Sequence, residues 1–222
     1  MKRLPFYFFS LVFISIFSGK LLAQDVSSDY EKIITQRAAK IVSTLKLGDS
    51  AKSSVLTTII ASQYRNLGKI HDEKNQQKTT LKKQQSDKAL IEEGIKKLES
   101  DADEKLQRLH SEYLSTLSSL LTAQQVDQVK DGMTYDVLHV TYNAYLDMIP
   151  RLSEEQKNQI MDWLMEAREH AMDAESSEKK HWWFGKYKGR INNYLSAAGY
   201  NMKKEEEDWQ KRRNAEKGNS GK

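Results

Sequence analysis

The sequence predicts an all-α fold. Apolar residues recur at three- and four-residue spacing along most of the chain. Proline occurs only at Pro5 and Pro150, and no stretch alternates apolar and polar residues between turn signals. The expected architecture is a multi-helix bundle with one long, protruding helical hairpin.

The chain opens MKRLPFYFFSLVFISIFSGKLLAQ. Lys2 and Arg3 precede an apolar run from Leu4 to Phe17, and Leu21-Leu22-Ala23 precede polar Gln24 and Asp25. This pattern reads as a signal peptide over 1–23. The apolar run is shorter than the roughly 20 residues a membrane span needs. The expectation is an exported protein, periplasmic or secreted, with no stable membrane insertion after cleavage. A single helical domain over 24–215 and a flexible tail over 216–222 complete the division.

Cysteine is absent, which excludes disulfides, thiolate metal sites and thiol nucleophiles. The formal charge of +4 falls to +1 when Lys2, Arg3 and Lys20 leave with the signal. A near-neutral, exported chain argues against nucleic acid as a partner. The basic residues concentrate late: from Lys179 to Lys222 there are twelve Lys or Arg and five Asp or Glu.

Tyr30, Ile34, Ala38, Ile41 and Leu45 share one face of a first helix, with Gly48 as its stop. Asp49 or Ser50 suits the next N-cap, and Val55, Ile59, Leu67 and Ile70 form the expected stripe of a second helix. His71 to Lys88 is polar and reads as a helical extension or a loop. A third helix carries Ile91, Ile95, Leu98, Ala102, Leu106, Leu109, Tyr113, Leu117 and Leu120. Thr122 with Gln125, and Ser153 with Gln156, have capping-box spacing. Between them, Tyr135 to Met148 reads as a helix ended by Pro150. Ser176 or Ser177 caps the next helix, Gly199 stops it, and Asn201 starts a last one, acidic first and basic later.

The stretch HWWFGKYKGRINNYLSAAGY, 181–200, is where function concentrates. On a helix, Trp183, Tyr187, Ile191, Tyr194 and Ala198 form an expected core stripe. Trp182, Lys186, Arg190 and Asn193 share another face. An indole stacks on the C–H face of a sugar ring, and Arg, Lys and Asn supply donors to hydroxyls and carboxylates. Gly185 and Gly189 each weaken a helix by up to about 1 kcal/mol, which calls for a reason. Tyr135, His139 and Asn143 are candidate partners on the preceding helix, beside Asp136. Glu166, His170 and Asp173 also share a face. The five His show no strong zinc spacing, and no nucleophile elbow, P-loop or dinucleotide fingerprint is present. The expectation is therefore no cofactor, no metal and no catalytic residue.

Three segments carry a resemblance: Asp131-Gly132-Met133-Thr134-Tyr135, Met148-Ile149-Pro150-Arg151-Leu152, and above all Phe184-Gly185-Lys186-Tyr187-Lys188-Gly189-Arg190-Ile191-Asn192-Asn193-Tyr194-Leu195. They resemble an uncharacterised family, a domain of unknown function, of exported helical proteins from polysaccharide-degrading Gram-negative bacteria. The role proposed for that family is sugar binding. The resemblance implies a carbohydrate-linked periplasmic protein and supplies no active-site residues. Leu121 to Gln125 and Leu152 to Gln156 also look like the Leu-Thr-x-x-Gln signature of small periplasmic chaperones. A carbohydrate-active enzyme using Asp136 and His139 is the third reading.

Overall fold

The computed structural model describes residues 19–219, which form eight α-helices and no strand. Most of the expected signal peptide, 1–18, lies outside the described residues. The helices are α1 (Gly19–Thr44), α2 (Ser50–Gln84), α3 (Lys88–Leu120), α4 (Ala123–Met133), α5 (Val137–Met148), α6 (Glu154–Met172), α7 (Ser177–Ala197) and α8 (Met202–Asn219). The chain is an all-α multi-helix bundle, as the spacing predicts. No helix among the described residues is long and apolar enough to cross a membrane.

Caps set the boundaries. Asp49 accepts from the Lys52 amide, Asp87 from Ala89 and Leu90, and Ser176 from Lys179. Thr122 with Gln125, and Ser153 with Gln156, each close a complete capping box. Both Leu-Thr-x-x-Gln-like segments thus serve as helix starts. Gly48 and Gly199 follow α1 and α7 with φ of +67° and +94°, which glycine adopts without a Cβ clash. α8 continues to Asn219, into the segment read as a tail.

Two cores are linked by α6. The first joins α1, α2, α3 and α4 around Ile34, Ala38, Leu56, Ile60, Leu117 and Val129, and it includes Met172 at the end of α6. The second joins α5, α6 and α7 around Leu138, Ile149, Ile160, Leu164, Phe184 and Ile191.

On α2 the buried face differs from the expected one. Leu56, Ile60, Leu67 and His71 are buried, whereas Val55 is 51% exposed. Buried residues on α2 end at His71, and on α3 they begin at Ala102. The helices between these points form the protruding hairpin and pack on each other. Leu81 packs against Gly94, where an added Cβ would lie 2.6 Å from the leucine Cδ2. Lys78 pairs with Glu99 at 2.7 Å across the same seam.

Candidate functional site: an aromatic and basic ridge beside a histidine cleft

α7 is buried along Lys180, Phe184, Tyr187, Ile191 and Leu195. This stripe is rotated from the expected one. Trp183 and Tyr194 are half-buried, and Ala198 is exposed. The rotation leaves Trp182 53% exposed, with Lys186, Arg190 and Asn193 also at the surface.

Trp182 meets Trp183 edge to face, with centroids 5.0 Å apart. The Lys186 ammonium lies 4.9 Å from the Trp183 ring centroid and 5.7 Å from that of Trp182. The Lys179 ammonium lies 5.9 Å from the Trp182 ring centroid. These contacts hold the rings by cation–π attraction. Neither lysine has a carboxylate partner among the described residues. Arg190 is more committed: it lies 4.5 Å over the Trp163 ring and pairs with Glu166 at 3.2 Å.

Gly185 and Gly189 lie on the same outward side of α7. A Cβ built on either would meet nothing within 4 Å. Neither glycine is needed for packing among the described residues, and each lowers helix stability. The backbone beside Trp182 is left bare.

Of the candidates before α7, Tyr135 lies outside the helix it was expected to start. Tyr135 and Asp136 take φ of +60° and +57°, and α5 starts at Val137. The Asp136 amide donates to the Asp131 carbonyl at 2.8 Å, closing the turn after α4. Two adjacent non-glycine residues in this region are strained by about 1–3 kcal/mol each. The Tyr135 ring stacks on His181, with centroids 5.9 Å apart and planes 13° apart. The Tyr135 turn and the start of α7 thus meet through His181. Trp182 itself contacts Trp183, Lys179 and Lys186. Asn143 is exposed two turns into α5.

His139 bonds Asp131 at 3.1 Å and lies 4.0 Å from Asp136. Ligand atoms of Asp131, Asp136 and His139 lie within 4.8 Å of one another, a spacing that could hold a cation. The buried Arg168 guanidinium opposes this. It pairs with Asp131 at 2.7 Å and with Asp127 at 2.6 Å, so Asp131 is already neutralised.

Glu166, His170 and Asp173 are each engaged by a neighbour. Glu166 takes Arg190, His170 stacks on Trp183, and Asp173 accepts from His110 at 2.8 Å. Beyond them lies a cleft of about 360 Å³ between α2, α3 and the α6–α7 junction, bordered by His71, Lys74, Asp103, His170, Asp173 and Trp183. The Asp173 carboxylate, and then Glu169 at 3.4 Å, raise the His110 pKa to about 9. His110 is thus an imidazolium at neutral pH, with neither nitrogen available as a base. Burial opposes ionisation of Glu169, but hydrogen bonds from His110 and Lys130 hold its pKa down to about 2. Burial lowers the Lys180 pKa to about 8; its ammonium donates to the carbonyls of Ala171 and Met172. His71 Nε2 donates to the Asp173 carbonyl oxygen at 2.7 Å, and its Nδ1 lies 3.4 Å from the Lys74 ammonium and 3.7 Å from the Glu175 carboxylate.

Sequence reasoning missed His71, His110, Lys180 and Trp163. Lys180 had a signal, since it falls in the buried register one turn before Phe184. His71 and His110 lie in charge-rich helices, where local spacing says nothing of a partner about a hundred or sixty residues away.

The fold and surface define a helical bundle with an exposed aromatic and basic ridge along α7. The chain belongs to the family described as protein of unknown function (DUF3826), which matches residues 31–215. No curated protein matches the chain at a significant level.

Proposed function

We propose that this chain is an exported, non-catalytic carbohydrate-binding protein, with the outward face of α7 as its recognition surface and acidic glycans as its preferred ligands. One observation carries the reading: Gly185 and Gly189 face open space beside exposed Trp182. Helix stability opposes two glycines there, and packing does not require them. A ligand lying flat on α7 does, because a sugar ring on the indole needs room over the adjoining backbone. Lys179 and Lys186 supply charge for a uronic-acid carboxylate, and Asn193 supplies amide hydrogen bonds. Arg190, already paired with Glu166, contributes less.

The order of contribution is therefore Trp182, then Lys186, then Asn193, with Arg190 last. Tyr135, His139 and Asn143 belong to the neighbouring turn and helix and extend the surface through the Tyr135–His181 stack. The expected signal peptide supports a periplasmic or secreted location.

The test is calorimetric titration of the mature protein with polygalacturonate and with a neutral β-glucan. Trp182→Ala and Lys186→Gln are run in parallel after a helicity check. The reading expects polygalacturonate binding that weakens at least about tenfold in each folded variant, the loss of one charge-assisted contact. Full binding in both folded variants, or none by the parent protein, contradicts it.

A further inference from the structure

α8 is anchored differently from the other helices. Glu205 is the one buried residue among its described side chains, paired with the Arg151 guanidinium. Trp209 Nε1 donates to the Asp147 carboxylate, and Arg212 donates to the carbonyls of Asp147 and Met148 at the end of α5. These polar anchors hold α8 against α5 and α7 without filling the space between them. A groove of about 570 Å³ remains, within the range of small-molecule sites.

Its apolar lining, the floor, is Val140, Ala144, Met148 and Met202, with Trp209 also at the groove. Val140 is 63% exposed there, an open hydrophobic surface in the first turn of α5. The rim is rich in donors. Lys188 and Lys203 line it, and neither pairs with a carboxylate among the described residues. Asn192 uses its side-chain oxygen to accept from Tyr145 at 2.7 Å, so its amide N–H groups are available. Glu206 is the one carboxylate on the rim.

We infer that this groove binds a small amphipathic carboxylate, with its apolar body on the Val140–Met148 floor and its carboxylate between Lys188 and Lys203. An apolar floor alone would accept any hydrophobe. Two uncommitted ammonium groups and a free amide select an acceptor-bearing, anionic head. Lys188 and Asn192 lie on a different side of α7 from Trp182 and Lys186, so this site is separate from the proposed glycan surface.

The probes are octanoate and its neutral counterpart octanamide, titrated calorimetrically into the mature protein. The expected result is saturable octanoate binding at least about tenfold tighter than octanamide. Lys188→Gln combined with Lys203→Gln should abolish that preference. Val140→Glu, at an exposed position, should weaken octanoate binding without unfolding the chain. Lys186→Gln should leave it unchanged, while polygalacturonate binding should survive the Lys188→Gln/Lys203→Gln change. No saturable octanoate binding, or equal affinity for the two probes, overturns the inference. So does a dimer that Val140→Glu disperses while octanoate fails to bind, which would make the groove an interface between copies.

Discussion

The Trp183 indole and the His170 imidazole stack with centroids 4.3 Å apart and planes 14° apart. This contact pins α7 to α6 and places the half-buried Trp183 indole on the wall of the histidine cleft. Trp183 is therefore structural on one side, whereas Trp182, one residue earlier, is 53% exposed and is met by Trp183, Lys179 and Lys186 of its own helix. The difference between neighbouring aromatic residues in α7 leads to the first prediction.

Trp182→Ala should change unfolding free energy by less than about 0.5 kcal/mol, because the side chain is mostly in water. Phe184→Ala, two residues on, should lose about 3–5 kcal/mol, because it empties a fully buried position. Urea unfolding followed by circular dichroism reads both. A loss above about 2 kcal/mol in Trp182→Ala would make that indole a packing residue.

His110 should give stability an alkaline limb. Its pKa is raised from 6.5 to about 9 in the folded chain, so its contribution is complete below pH 6.5 and fades as pH rises to about 9. Lys180 works in the opposite direction: its folded pKa is lowered to about 8, so stability recovers as pH rises from about 8 towards 10.5. Glu169, lowered to about 2, adds an acid limb below 4.5. Urea midpoints should therefore be highest between about pH 4.5 and 6.5 and fall from there to pH 8. His110→Gln should flatten that fall. An unchanged slope in the variant would show that His110 is not its source.

Arg168 should resist replacement. It is 5% exposed and holds both Asp127 and Asp131. Arg168→Met leaves the Asp131 carboxylate poorly compensated and should destabilise by about 3–5 kcal/mol. Adding Asp131→Asn should recover part of that loss. A double variant no better than the single would place the effect in packing rather than charge.

The protruding hairpin should open before the rest of the molecule. Past His71 and before Ala102 it has no buried side chain, only its own seam. Hydrogen exchange should find amides near Leu81 and Gly94 less protected than those near Ile60 and Leu117. Equal protection would mean that the hairpin folds as one unit with the first core.

Much of the scaffold was legible because its signals are local. Thr122 with Gln125 and Ser153 with Gln156 declare their helix starts within four residues. Orientation was harder. On α2, Val55 and Leu56, then Ile59 and Ile60, come as adjacent apolar pairs, so periodicity fits two faces; packing with α1 selects Leu56 and Ile60. On α7, aromatic residues surround much of the helix, and the stripe containing Lys180 and Phe184 won. Lysine was passed over as a core residue because its burial depends on the Ala171 and Met172 carbonyls supplied by α6. The outward set of Trp182, Lys186, Arg190 and Asn193 was readable from helical spacing alone. The cleft was not, since His71, His110 and Asp173 meet only when three distant helices pack.

The most direct test of the central claim replaces the two glycines that nothing in the fold requires. Gly185→Ala and Gly189→Ala should together raise unfolding stability by about 1–2 kcal/mol, since each added methyl enters open space on a helix. The same double variant should bind polygalacturonate at least about tenfold more weakly, because the methyls occupy ground a sugar ring would use. A more stable protein that binds less well is the predicted result. A more stable protein that binds polygalacturonate as tightly as the parent would contradict α7 as the recognition surface.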